Sequence, residues 1–333
     1  MAQLVKIQDY VSRYQIDLAR YPTQFVRLKK VQWERIRTQW EKGEMINQQW
    51  EHIDLAEGKE LNEKGRLPFW KRLLTFRRAE QYQEAEAEVE TDFFKDGEEI
   101  LPDESTTLYF EPNIVYSPQT VGDLKRMFID QFFHFQIKWA SSTLREKSYV
   151  DPKYMRDTLL RYFIQRLPDN YLVFYYPILR IKKAPIELEV IIITPVECIC
   201  ITVLEEEDNA AYIGGSERFW VKKVGKEDRK TLNPFIRLNR TEKILSDLFD
   251  EHRIELPIQK VLLSRNGYID YPVTITATQM IDKRHFDEWS QQLSKTTSPM
   301  KHMQIQAAQK ILATAQTTSF NRDIWTTGND QAD

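Results

Sequence analysis

The sequence predicts an α/β fold whose mixed sheet is flanked by helices, with a helical N-terminal region and further helices at the C-terminal end. Three observations predict it. Residues 187–194 (ELEVIIIT) and 198–204 (CICITVL) are near-continuous apolar runs, the pattern of strands buried on both faces. Helical stretches at 153–166 and 234–251 bracket a group of strand-like runs. A last strand at 258–264 (IQKVLLS) follows the second of these helices, so the order is helix, three strands, helix, strand.

Composition narrows the possibilities. The chain has 333 residues and is 41% hydrophobic, enough for two domains or for one domain with long additions. No run approaches the roughly 18 apolar residues of a membrane span. The start, MAQLVKIQDY, lacks the apolar core and cleavage site of a signal peptide, so the expected compartment is the cytoplasm. A net charge of -3 argues against a surface wholly given to nucleic acid, although it leaves room for a local basic patch. Cys198 and Cys200 stand two apart in an apolar run and read as buried, inert thiols.

From the N-terminus, Leu4, Ile7, Val11, Tyr14 and Leu18 recur at helical spacing, and Pro22 ends that pattern. A second helix carries Phe25, Leu28, Trp33, Ile36 and Trp40 with basic residues between them. This helical region, 1–79, suits packing on the body of the protein, a protein partner or self-association. Its basic residues also suit nucleic acid or a membrane surface. Residues 67–78 (LPFWKRLLTFRR) have the composition of a short helix in peripheral contact with an anionic membrane, and equally of a docking helix. Residues 80–105 are acidic and read as a linker.

A helical connector spans 106–150. Thr120 to Asp123 forms a capping-box-like start, and Leu124, Phe128, Phe132, Phe135 and Trp139 form the apolar stripe behind it. His134 in that stripe reads as a packed histidine. The α/β domain occupies 151–280, with strands at 171–181, 187–194, 198–204, near 219–224, 258–264 and 273–276. Helices at 282–294 and 302–316 fill the C-terminal region 281–316, and the polar tail 317–333 is expected to fray.

Within 150–265, about a third of the chain, Leu167-Pro-Asp-Asn-Tyr171 closes a helix, and Glu187 and Glu189 lead into a strand ending at Thr194-Pro195. Trp220 opens a further strand, and Asn233-Pro234 opens the next helix. In order and spacing these features resemble the nuclease-related domain family, whose fold is of the PD-(D/E)xK, restriction-endonuclease-like type. The resemblance implies a divalent-metal site for phosphodiester hydrolysis. An Asp on the second strand and a Glu on the third would hold Mg2+ or Mn2+, and a Lys two residues beyond the Glu would orient the nucleophile.

The matching positions depart from that pattern. Glu189 stands at the first carboxylate and is the one metal ligand the match leaves. Thr202 and Leu204 stand where the Glu and Lys belong. The acidic residue of the first helix has no clear match, since Asp157 is out of register. Asn-Pro-x-x-Gln becomes Asn233-Pro-Phe-Ile-Arg237. Glu187 beside Glu189, and Lys222 or Lys223 on the following strand, are the candidates for rebuilding the site. Against this, they read as ordinary surface charges. Arg237, Arg240 and Lys243 would form a nucleic-acid rim.

Three functions follow as expectations. The first is a catalytically degenerate binding module, with nucleic acid as a candidate ligand and no cofactor. The second is an active metal-dependent nuclease with a relocated lysine. The third is a membrane-proximal interaction protein.

Overall fold

The two apolar runs pair with each other at the centre of a six-stranded sheet. Strand β6 (Val190–Ile193) is buried throughout, and β7 (Cys198–Val203) is buried up to its last residue. They run antiparallel, with Val190 opposite Ile201 and Ile193 opposite Cys198. The structure, a computed structural model, describes residues 1–42, 110, 118–143, 146–272, 277–295, 298–318 and 320–321. The described residues belong to one compact unit. The segment 67–78, the acidic stretch 80–105 and the strand expected at 273–276 lie outside the described residues. Among those described, no helix is long and apolar enough to cross a membrane.

The architecture is mixed α/β. The sheet contains β1 (Gln3–Ile7), β3 (Leu172–Tyr175), β6, β7, β11 (Ile258–Leu263) and β13 (Thr278–Ile281), in that spatial order. The stretch β3–β6–β7 is an antiparallel meander, while β11 lies parallel to β7 and β13 parallel to β11. The link from β7 to β11 passes through a smaller sheet, built from β8 (Ala211–Ile213), β9 (Phe219–Val224) and β10 (Glu227–Leu232) with β12 (Tyr268–Asp270) at its far edge. It then returns through helix α5 (Phe235–Glu251).

Side chains alternate between two apolar layers, as strand geometry requires. Cys198, Cys200, Ile191 and Ile193 point into the layer covered by α5 and by α7 (His302–Thr314). Ile199, Ile201, Val190 and Ile192 point into the layer covered by α4 (Thr158–Arg166) and α6 (Phe286–Ser294). Both cysteines are buried and free.

Several expectations need correction. The start of the chain is not helical. Gln3–Ile7 is a strand parallel to β3, followed by a single 3-10 turn capped by Ser12. Apolar residues at 4, 5 and 7 satisfy a strand buried on both faces as well as they satisfy a helix. The helix expected after it is present as α1 (Tyr21–Glu41).

The stretch 153–166 is broken at Asp157 into α3 (Lys153–Arg156) and α4. The Asp157 side chain accepts the backbone N–H groups of Leu159 and Leu160 at 2.9 Å. Run 171–181 is two strands, because Tyr176 adopts a φ of 48° and Pro177 offers no N–H to the ladder. Its second half pairs instead as a hairpin, β4 (Ile178–Ile181) with β5 (Ala184–Glu187). His134 is exposed, with Nδ1 3.3 Å from the Met155 sulfur. The tail does not fray at Thr317: Thr318 bridges to Tyr10, and β14 (Phe320–Asn321) pairs with β2 (Glu146–Lys147).

Helix α2 (Val121–Trp139) begins with the expected capping box, Thr120 and Asp123 capping each other's backbone N–H. Its buried Gln136 finishes the open edge of β1. The side-chain amide donates to the Ala2 carbonyl at 2.9 Å, and its oxygen accepts the Leu4 N–H at 2.8 Å. An edge strand with nothing but β3 on one side thereby has buried groups satisfied on the other. Gln136→Leu strands both backbone groups and is expected to cost about 2–4 kcal/mol. Urea denaturation reads this cost, and hydrogen exchange at Leu4 reads the loosened edge.

Candidate functional site

Glu189 precedes β6 by one residue. One step beyond the last ladder pair, Val190 with Ile201, it falls opposite Thr202 of β7. Both side chains are at least 95% buried, on the face covered by α5. Thr241 of that helix accepts the Glu189 backbone N–H at 3.1 Å. Leu204, two residues beyond Thr202, is buried in the same apolar layer. The structure thus brings together the three positions where the resemblance implies two metal-binding carboxylates and a lysine.

The electrostatics of Glu189 come from its surroundings. Burial raises its pKa, and the Arg237 guanidinium is the strongest opposing influence, with Nε 3.6 Å from Oε1. The Thr202 hydroxyl also stabilises the charged form. Its geometry, however, closes no hydrogen bond, so Glu189 Oε2 and Thr202 Oγ1 both end without a partner. Arg240 acts in the same direction from further off, and Glu187 opposes it. Arg237 fills the place of the Gln expected in this motif, in the first turn of α5.

Helix α5 starts there for local reasons. Asn233 Oδ1 accepts the Phe235 N–H at 3.0 Å, and its amide holds the Glu217 carbonyl at 2.8 Å. Trp220 donates to the neighbouring Gly215 carbonyl at 3.1 Å. The Trp and Asn-Pro of the motif therefore fasten one loop. A Cβ on Gly214 would lie 2.0 Å from the Trp220 ring, so that position requires glycine.

The other sequence candidates are engaged elsewhere. Lys222 is bound to Glu206 at 2.5 Å and to Glu207 at 3.3 Å, hydrogen bonds that raise its pKa. Lys223 is exposed on the opposite face of β9. Neither lysine is among the charges acting most strongly on Glu189. Glu187 is exposed at the end of the hairpin, and its carbonyl accepts Arg240 at 3.1 Å. Lys243 pairs with Asp247 a turn along the helix, away from Glu189. Of the predicted basic rim, Arg237 and Arg240 reach the site and Lys243 does not.

Sequence reasoning missed Tyr176, which sits between the charges. Burial raises its pKa first, and Glu189 and Asp157 add to the effect. The available signal was a Tyr-Tyr-Pro break in an apolar run. Asp157 is committed to capping α4 and to accepting the Tyr175 hydroxyl at 2.6 Å. Glu205 is held by Arg265 at 2.6 Å.

A hard divalent cation of the kind the resemblance implies takes several oxygen ligands. Here one carboxylate faces a guanidinium and a threonine hydroxyl. Among the described residues, no group of three or more His, Cys, Asp or Glu converges to hold a metal. This donor set does not fit Mg2+ or Mn2+. A cavity of about 330 Å3 lies beside the start of α5, lined by Phe235, Ile236, Asn239 and Tyr271 among others, and it includes none of Glu189, Thr202 or Leu204.

The chain matches no protein-family model and no solved structure. A stretch of 41 residues is 49% identical to part of an RNA 2',3'-cyclic phosphodiesterase of Geobacillus stearothermophilus. That stretch is 12% of this chain and spans 13% of the length of the relative.

The Glu189–Arg237 contact sets a pH dependence. The folded pKa of Glu189 is raised, so its contribution favours folding below the ordinary carboxylate range and is lost as pH rises through the folded value. Arg237→Leu removes the main opposing charge and is expected to cost about 1 kcal/mol at neutral pH, a modest figure because the Arg237 side chain is 44% exposed. Glu189→Gln removes the buried charge and is expected to flatten the dependence. Denaturant midpoints of the three proteins from pH 5 to pH 8 check both signs. A cost of Arg237→Leu that does not grow with pH would contradict this assignment.

Proposed function

We propose that this chain is a nuclease-related α/β module that binds nucleic acid without cutting it. The observation carrying the reading is the Glu189 environment, in which the carboxylate faces Arg237 and Thr202 rather than a second carboxylate. Hydrolysis by a metal-activated water needs a cation that polarises the phosphate and a base or lysine that orients the attack. This chain offers Thr202 and the buried Leu204 where those groups would stand, and Lys222 is bound to Glu206 and Glu207. What remains chemically is a pair of exposed guanidinium groups on one helix, suited to phosphate oxygens.

The fold supports the class. Helix α4, the meander β3–β6–β7, helix α5 and strand β11 parallel to β7 follow the helix, three-strand, helix, strand order of restriction-endonuclease-like folds. The short likeness to an RNA phosphodiesterase agrees with a nucleic-acid ligand, and at 41 residues it carries no argument for catalysis.

The purified protein, incubated with supercoiled, linear and single-stranded DNA and with RNA, is expected to leave all of them intact in Mg2+ and in Mn2+. Millimolar metal is likewise expected to leave its melting temperature unchanged. Cleavage abolished by Glu189→Ala would overturn the reading and favour an active nuclease with a rebuilt site.

A further inference from the structure

The β4–β5 hairpin stands next to this site and has no role in the sheet. Its base is fixed: Ile178 N–H donates to the Gln8 carbonyl at 3.3 Å, Gln316 N–H donates to the Ile178 carbonyl at 2.8 Å, and Leu179 is buried. Its far end is wet, with Arg180 and residues 182–185 all exposed.

The loop joining the strands has two residues, Lys182 and Lys183, between the paired Ile181 and Ala184. Their φ values are 47° and 73°. Two-residue hairpin loops of this kind demand positive φ at both positions, which is why Asn-Gly is the usual choice. Lysine has no local hydrogen bond to offset the crowding of its Cβ there. The chain holds two bulky cations in a conformation that favours other residues, and such outliers mark functional positions.

Charge separates this hairpin from the rest of the surface. The protein carries a net charge of -3, yet the hairpin from Ile178 to Glu187 holds three cations against one carboxylate, the exposed Glu187 at its base. Arg180, Lys182 and Lys183 make no ion pair with any described residue. The strip continues past the hairpin base, where the side chain of Arg240 bonds the Glu187 carbonyl and Arg237 lies one turn away. Cations without an ion pair to any described residue, on a hairpin that packs on the core through Leu179, Ile181 and Ile186, are what a chain of phosphates requires. The tip presents Lys182, Lys183, Ala184 and Pro185, with no large apolar side chain to enter a bilayer, so a lipid surface is the poorer match.

We propose that the β4–β5 hairpin is an arm gripping the phosphate backbone of nucleic acid, with Arg240 and Arg237 continuing its track toward Glu189. The inference rests on the nucleic-acid reading above for the class of ligand, and adds the element that does the holding.

The test uses the full chain and anisotropy titrations against labelled single-stranded RNA, single-stranded DNA and duplex DNA of one length, over a range of KCl. The double variant Lys182→Asn with Lys183→Gly relieves the turn while removing both charges. It is expected to melt a few degrees higher than the wild type, yet to bind about tenfold or more weakly, with a salt slope shallower by about 1.4–1.8 for two lost phosphate contacts. The pair Lys182→Arg with Lys183→Arg is expected to keep the affinity. Arg180→Gln, which leaves the turn untouched, is expected to weaken binding by a smaller factor. Unchanged affinity and slope in the Asn-Gly variant, with wild-type binding intact, would overturn the arm and leave the nucleic-acid reading standing. A wild type that binds none of the three polymers would overturn both. Binding confined to vesicles containing anionic lipid would overturn both in favour of a membrane ligand.

Discussion

Burial on both faces of the central sheet governs everything around it. Strand β6 and nearly all of β7 have no wet side, so a polar group on them must find a partner inside the protein or lie at an end of the strand. Glu189 and Thr202 lie at the same end of these two antiparallel strands. A carboxylate buried there is expensive, and without a metal the nearest offsetting charge is the guanidinium that α5 projects across it. The crossover that puts α5 on this face also makes β11 parallel to β7. The same topology that builds the sheet therefore delivers Arg237 to Glu189.

The edges of the sheet follow similar accounting. Strand β1 joins the sheet from the far end of the sequence and would leave an open ladder, which the Gln136 side chain of α2 closes as a substitute strand. The packing behind it is aromatic: Phe25, Phe128, Phe132, Phe135 and Trp139 touch one another edge-on or tilted, save for the stacked pair Phe128 and Phe132, and Arg13 lies over the Tyr21 and Trp139 rings. The aromatic stripe of α2 is thus buried within this chain, while Trp33 and Trp40 of α1 pack on it half-buried.

The parts of this structure legible in the sequence are those where one physical demand dominates. The runs 190–193 and 198–203 read as strands because they are rich in β-branched residues, with Thr202 the one hydroxyl, and such runs suit a doubly buried strand. The Thr120–Asp123 box and the Asn233-Pro234 start declare helix beginnings through cap chemistry. Ambiguity arises where two demands share residues. Leu4, Ile7 and Val11 fit a helical face, but the tertiary context of β3 makes the first two of them strand. Glu227–Leu232 (EDRKTL) is nearly all polar and pairs only with β9, so no apolar rhythm announces it. Lys182-Lys183 is not a sequence from which a tight turn is inferred. At the site, the positions of Glu189, Thr202 and Leu204 come from the resemblance to the nuclease-related family, and the paired strands put the three on one face. The pairing of Glu189 with Arg237 could not be read from the sequence, because it depends on how far α5 leans over β6 and β7.

The central claim is that a guanidinium, and no divalent cation, answers the Glu189 charge. The most direct measurement is the side-chain carboxyl resonance of Glu189 in protein carrying 13C-labelled glutamate, assigned by its loss in Glu189→Gln, during titration with Mn2+. The account predicts that the paramagnetic ion leaves this resonance as sharp as those of glutamates remote from the site. Selective broadening at Glu189, reversed by excess Mg2+, would show a metal seated there and contradict the account.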